Sequence, residues 1–244
     1  MGGVAYRVVL AVIGHLSRDV VEGGAPRIGG GPWHAARALR ALQADAMLVA
    51  KCGAADEEAF RAELETTGVP FRLVVGERTT AFSFTYDDAG VRTMLVDGLG
   101  DPWRPEEWHG VEADWLQVAP LLRGDFAELP RGRVLLDGQG IVRVAEIGPL
   151  RLEAGPVPAG VEILKLADEE AAVLGPVDVP ELVVTHGVRG ATVNGQLVEA
   201  DPVECDPTGA GDMFGAAYLV ARAAGAEPVE AGRSAALVVA GLLR

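Results

Sequence analysis

The chain has 244 residues, 49% of them hydrophobic, and a formal net charge of −14 at pH 7. That length suits one large α/β domain or two small ones, with ample material for a core. The acidic balance argues against nucleic acid and anionic membrane as partners, while leaving room for a local phosphate cradle.

Two cysteines, Cys52 and Cys205, stand far apart without metal spacing. They read as small core residues in a reduced, cytoplasmic setting, not as a disulfide framework. Four scattered histidines give no zinc pattern. Neither a G-x-S-x-G elbow nor a G-x-x-x-x-G-K-[ST] loop occurs.

In chain order, the first apolar run is "VVLAVIG" (8–14). It is too short to span a membrane, lacks a signal peptide's cleavage pattern, and reads as a buried strand. Similar runs follow at 46–53, 114–120, 133–140, 161–167 and 181–187, each ended by Gly, Pro, Asp or Ala. Short apolar runs of this kind are how strands buried on both faces read. Helical patterns fall at 32–43, 56–67 and 168–175, and two more close the chain, the last starting at Pro228. Alternating strands and helices predict a mostly parallel sheet with helices on both faces. "VNGQ" predicts a hairpin, because Asn-Gly suits a type I′ turn.

Two stretches, about 15–28 and 71–97, break the α/β pattern. The second alternates along "TTAFSFTY" and turns at "DDAG". They are expected to form a small antiparallel sheet standing off one edge as a lid, within a single domain over 1–244. Exposed lid strands invite edge pairing, one route to a homodimer.

Residues 206–214, "DPTGAGDMF", place a glycine-rich turn at the start of a helix. Helix starts leave N–H groups unpaired and carry partial positive charge, so Gly209, Ala210 and Gly211 make an anion cradle. Asp212 in that first turn is odd for mere binding, since like charges repel. It makes sense if the bound anion is to be attacked, with Asp212 orienting a hydroxyl and taking its proton. The alternative is a plain helix cap, with Asp206 or Thr208 as the N-cap. Near the helix dipole, Asp212 is expected to stay ionised.

"DPTGAGDMFGAAYL" resembles the C-terminal signature of the ribokinase family, the phosphofructokinase-B (pfkB) carbohydrate kinases. "VIGHLSRD", "GGGPWHAARAL" and "VVTHGVRGATV" agree in order and spacing. The "GHLSRD" opening and the "VAKCG" strand also resemble, more weakly, plant myo-inositol kinases. The resemblance implies a three-layer α/β/α ribokinase-like core with a small β lid. It implies ATP-dependent phosphorylation, with Mg²⁺, of a hydroxyl on a sugar, polyol or nucleoside. Asp212 would be the base and the 209–211 turn the anion hole. Asp19, Gly30, Gly31 and His34 would meet the acceptor, and Thr185, Gly187 and Thr208 the nucleotide. Glu170 would hold Mg²⁺ through water, and Asp206 with Thr208 a monovalent cation.

Several residues depart from the family's pattern. His34 and Ala167 replace asparagines, Gln43 replaces a glycine, and the chain stops soon after "AGLLR", where relatives continue. These departures keep a second reading open: a pfkB-like nucleotide or sugar binder with weak or no turnover.

Overall fold

Along the central strands, successive residues face opposite apolar layers. Leu10 and Val12 pack into one layer, Ala11 and Ile13 into the other. The strand over 46–53 repeats the pattern, Ala46, Leu48 and Ala50 against Met47 and Val49. A strand with both faces covered needs apolar residues at every position, which is why these runs do not alternate.

The structure, a computed structural model, describes residues 6–87, 92–201, 203 and 208–244. The elements are β1 (Tyr6–His15), β2 (Ser17–Val21), β3 (Arg27–Gly29), α1 (Gly31–Ala41), β4 (Ala46–Gly53), α2 (Glu57–Thr67), β5 (Phe71–Gly76), β6 (Thr80–Tyr86) and β7 (Arg92–Gly98). Then follow β8 (Val111–Ala119), β9 (Arg133–Asp137), α3 (Gln139–Val142), β10 (Gly148–Pro149), β11 (Val161–Ala167), α4 (Asp168–Leu174) and β12 (Glu181–Thr185). The hairpin β13 (Ala191–Val193) and β14 (Gln196–Val198) precedes α5 (Ala210–Ala223) and α6 (Pro228–Leu243).

The large sheet has the order β14-β13-β12-β11-β9-β8-β1-β4-β5. Its strands from β12 to β5 run parallel, and the β13–β14 hairpin is antiparallel. The hairpin turn has Asn194 at φ 47 and Gly195 at φ 77, the two positive values that a type I′ turn requires. Helices α1, α2, α5 and α6 bury residues such as Leu39, Leu64, Tyr218 and Ala235 in one layer. The opposite layer is covered by Trp103, Trp108 and Phe126, with Ala171 and Leu174 of α4. The core is thus the three-layer α/β/α arrangement expected.

The second sheet has the order β10-β7-β6-β2-β3. It departs from expectation twice. Residues 71–76 are β5, paired in parallel with β4 at the edge of the large sheet, so the excursion begins at Thr80. Edge strands are half-buried, and β5 therefore reads in sequence like the alternating strands after it. The small sheet is also mixed, because β2 pairs in parallel with β6 while β2–β3 and β6–β7 are antiparallel. A third difference lies in the large sheet. The run at 133–140 stops as strand at Asp137, and Gly138 turns the chain into α3. Among the described residues, no helix is long and apolar enough to cross a membrane. Cys52 is buried, and burial first of all pushes its thiol up to about 11, as suits a core residue; Cys205 and Asp206 lie outside the described residues.

Candidate active site

The sheet order reverses at β1, with β4 and β5 laid down on one side and β8 onward on the other. Ligand crevices in open α/β sheets form beyond the strand ends at such a switch point. A cleft of about 570 Å³ opens there, between the strand ends and the small sheet. It is lined by eleven of the residues singled out in the sequence, namely Asp19, Gly30, His34, Glu170, Thr185, Gly187, Thr208, Gly209, Ala210, Gly211 and Asp212. Gly31 sits directly behind it. A Cβ there would meet Ala119 Cβ at 2.3 Å and Asp212 Oδ1 at 3.2 Å.

The helix α5 starts from Gly209, which is left-handed at φ 78 and provides no side-chain cap. Thr208 is therefore not the N-cap that the plain-cap reading proposed. Glycine is the residue for this φ, and its missing Cβ has a second use. A Cβ on Gly209 would lie 2.1 Å from His34 Nδ1. His34, on the second turn of α1, thus packs against the cradle. The start of α1 is itself set by Gly30 at φ 97, whose Cβ would come 2.3 Å from His15 O.

Asp212 lies in the first turn of α5, and Gln117 Nε2 donates to its backbone carbonyl at 3.3 Å. Asp212 Oδ1 is sealed from solvent and has no hydrogen-bond partner among the described residues. Burial above all, then the negative charge of Asp137, raises this carboxyl to about 7 against the pull of Lys165 and Arg143. The expectation of an ordinary ionised aspartate therefore needs correction. Desolvation outweighs the helix dipole here.

Two residues that the sequence reading passed over share the cleft floor. Asp137 ends β9, Lys165 sits near the end of β11, and Lys165 Nζ lies 2.8 Å from Asp137 Oδ2. Burial alone would depress the Lys165 ammonium, but Asp137, Asp212 and Glu170 outweigh it and hold it above its ordinary value. A lysine inside the apolar run "VEILKLA" was the available signal.

Glu170 is 3% exposed, and both its oxygens are engaged. Oε2 accepts the Ala167 N–H at 2.9 Å, and Oε1 faces Arg143 at 3.4 Å. It caps α4 in the manner of a capping-box glutamate. With one oxygen on the Ala167 N–H and the other facing Arg143, neither is left open for direct ligation of magnesium. Among the described residues, no group of three or more His, Cys, Asp or Glu is arranged to hold a metal.

The two ends of the cleft differ. Asp19, in β2, is 5% exposed and lies beside Gly29, where a Cβ would come 2.1 Å from its Oδ2. Phe82, Phe84 and Met94 of the small sheet complete that end. At the other end Thr185 Oγ1 donates to Leu166 O at 3.2 Å, and Gly187, at φ 58, opens a turn. Val188, Ala236, Val239 and Leu243 form an apolar wall there. Asp168 ties the turn down through His186 at 2.5 Å and Arg189 at 2.8 Å.

Residues 160–241 match the family model for the pfkB family carbohydrate kinases. None of the curated proteins matches the sequence. Among solved structures, the chain is similar to a pyrophosphate-dependent kinase in the ribokinase family, complexed with a pyrophosphate analogue and myo-inositol. The identity is 24%, with 97% of this chain and 95% of that chain covered and a TM-score of 0.82. A Burkholderia thailandensis nucleoside kinase in complex with inosine matches at 18% identity over 95% of this chain and 90% of that one, TM-score 0.68. A Thermotoga maritima ribokinase matches at 16% over 97% and 93%, TM-score 0.62. The fold is ribokinase-like throughout, and residues 160–241 bear out the resemblance to the pfkB family.

Proposed function

We propose that this protein is a cytoplasmic kinase that moves the γ-phosphoryl of ATP to a hydroxyl of a sugar, polyol or nucleoside. One observation carries the reading: a single cleft joins a glycine cradle at a helix start, the first-turn acid Asp212, and a buried acid, Asp19, at the far end. Asp212 orients the acceptor hydroxyl and takes its proton. The N–H groups of the 209–211 turn stabilise the charge on the phosphoryl oxygens as it passes. Asp19 and the start of α1 at Gly30 and Gly31 hold the acceptor, with His34 bracing the cradle. Thr185, Gly187 and Thr208 meet the donor, and the apolar wall of α6 receives its base. Magnesium, when bound, would supply neutralisation of the donor's phosphate charge, and no protein ligand is assigned to it.

A second donor, inorganic pyrophosphate, is favoured by one feature. The cleft holds two built-in cations, Lys165 and Arg143, near the cradle. A similar structure is that of a pyrophosphate-dependent kinase. The deciding experiment offers ATP or pyrophosphate, each with magnesium, against a panel of sugars, polyols and nucleosides that includes myo-inositol. ADP formation that depends on one acceptor supports the ATP reading. Acceptor-dependent loss of pyrophosphate supports the second. Binding of these compounds with no transfer from either donor leaves a pfkB-like binder.

A further inference from the structure

The geometry points to Lys165 as a catalytic residue whose ammonium, held out by Asp137, contacts the phosphoryl group in transit over the 209–211 turn. The inference rests on the kinase reading but concerns a residue that neither motif nor resemblance assigned. It begins from position. Lys165 is 4% exposed and sits near the end of β11 in the floor of the cleft. A Cβ on Gly211 would stand 3.3 Å from its Nζ, so the ammonium lies beside the cradle and glycine at 211 leaves it room.

A buried lysine needs a reason. Taking an ammonium out of water is expensive, and replacing a buried ion pair with apolar residues is often neutral or stabilising. Every neighbouring residue of "VEILKLA" in β11 is apolar apart from Glu162 near its start, and the strand would close more simply with a leucine here. The charged groups around Lys165 also do not balance. Asp137 is its ion-pair partner; Asp212 and Glu170 also face it, and Arg143 pairs with Glu170. Three carboxyls thus meet two cations, and among the described residues Asp212 Oδ1 has no hydrogen-bond partner. An ammonium has three donors, and Asp137 uses one side of it. Its Nζ stands beside Gly211, within reach of an anion over the cradle.

The transfer can then be written with this chain's residues. The acceptor oxygen attacks the terminal phosphorus, the new O–P bond forms, and the bond to the bridging oxygen breaks. The bridging oxygen leaves with the electron pair, and the hydroxyl proton passes to Asp212. Lys165 binds a non-bridging oxygen throughout and counters the charge that Asp212 would otherwise present to the phosphate.

The test uses the full chain and inorganic pyrophosphate, the fragment that both donors share, by calorimetry with and without magnesium. Lys165→Met should weaken pyrophosphate binding about tenfold to a hundredfold, the range for a lost charged hydrogen bond. Lys165→Arg should retain most of it. Because Lys165→Met strands Asp137, the double variant Lys165→Met with Asp137→Asn guards against misfolding, with its melting curve as the check. If that folded double variant binds pyrophosphate as the wild type does, or if the wild type binds none, Lys165 is only a structural counter-ion and the inference is overturned. The outcome stands apart from the kinase reading. Loss of binding in the variant, with no transfer by the wild type to any acceptor, keeps the Lys165 contact and removes the kinase.

Discussion

The imidazole of His34 lies against Gly209, so close that a Cβ on the glycine would come 2.1 Å from Nδ1 and 2.7 Å from the His34 Cβ. The first of these contacts could be relieved by turning the ring, the second could not. Gly209 also stands at φ 78. Gly209→Ala should therefore cost about 1 kcal/mol for the left-handed backbone and a further 1–3 kcal/mol for overpacking. Adding His34→Ala should return part of the packing cost and none of the backbone cost. Denaturant melts of the two single variants and the double measure this coupling. Strict additivity would show that the two residues do not press on each other.

Asp19→Ala should weaken acceptor binding about tenfold to a hundredfold, as expected for a lost charge-assisted hydrogen bond, and leave donor affinity nearly unchanged. The reason is its place in β2 of the small sheet, at the other end of the cleft from the cradle. Titrations of both ligands check it. An equal loss of both would mean that Asp19 acts by holding β2 and β3 together.

Gln43 stands where the family resemblance expects glycine, and it adopts φ 49 just past α1. Gln43→Gly should stabilise the fold by about 0.5–1 kcal/mol, the left-handed strain of an L-residue less the entropy glycine gives up. That corresponds to a rise in melting temperature of about 1–4 °C for a chain of this size. An unchanged or lower melting point would mean that this backbone is not strained.

The parts of the fold legible in the sequence were those set by local rules. Two-sided burial marked the runs at 46–53 and 161–167, which are strands over those same residues. Asn194 and Gly195 marked their own turn. Edge strand β5 was not legible, because half-burial looks alike at the rim of a large sheet and in a small one. The same division runs through the site. The cradle and Asp212 are contiguous and carry a local signature. The pairing of Lys165 with Asp137 exists only because β9 and β11 are neighbours in the sheet, which no local pattern states. Glu170 was read as a metal residue from its motif. Its Oε2 caps α4 at the Ala167 N–H, and its partner Arg143, just past α3, faces the other oxygen.

Asp212→Asn separates the chemistry from the fold. Asparagine keeps the size of the side chain but cannot take the hydroxyl's proton, so transfer should fall by about two to four powers of ten, the range for a general base. Donor binding should hold or improve, since a charge beside the phosphates is removed. The pH behaviour adds an independent check. The carboxyl is raised from 3.8 to about 7, chiefly by burial and then by Asp137. A carboxyl raised in the folded state favours folding while protonated, and that contribution is lost as pH climbs from about 4 through about 7. The wild type should therefore lose stability across this window relative to Asp212→Asn, which stays neutral. The variant should melt higher at about pH 8 and alike near pH 4. Wild-type turnover should rise over the same window, because only the ionised carboxylate accepts the proton. Melting curves and rates on the same samples at both pH values decide it. Near wild-type turnover by the variant would reduce Asp212 to a residue of the helix start and remove the base from the mechanism.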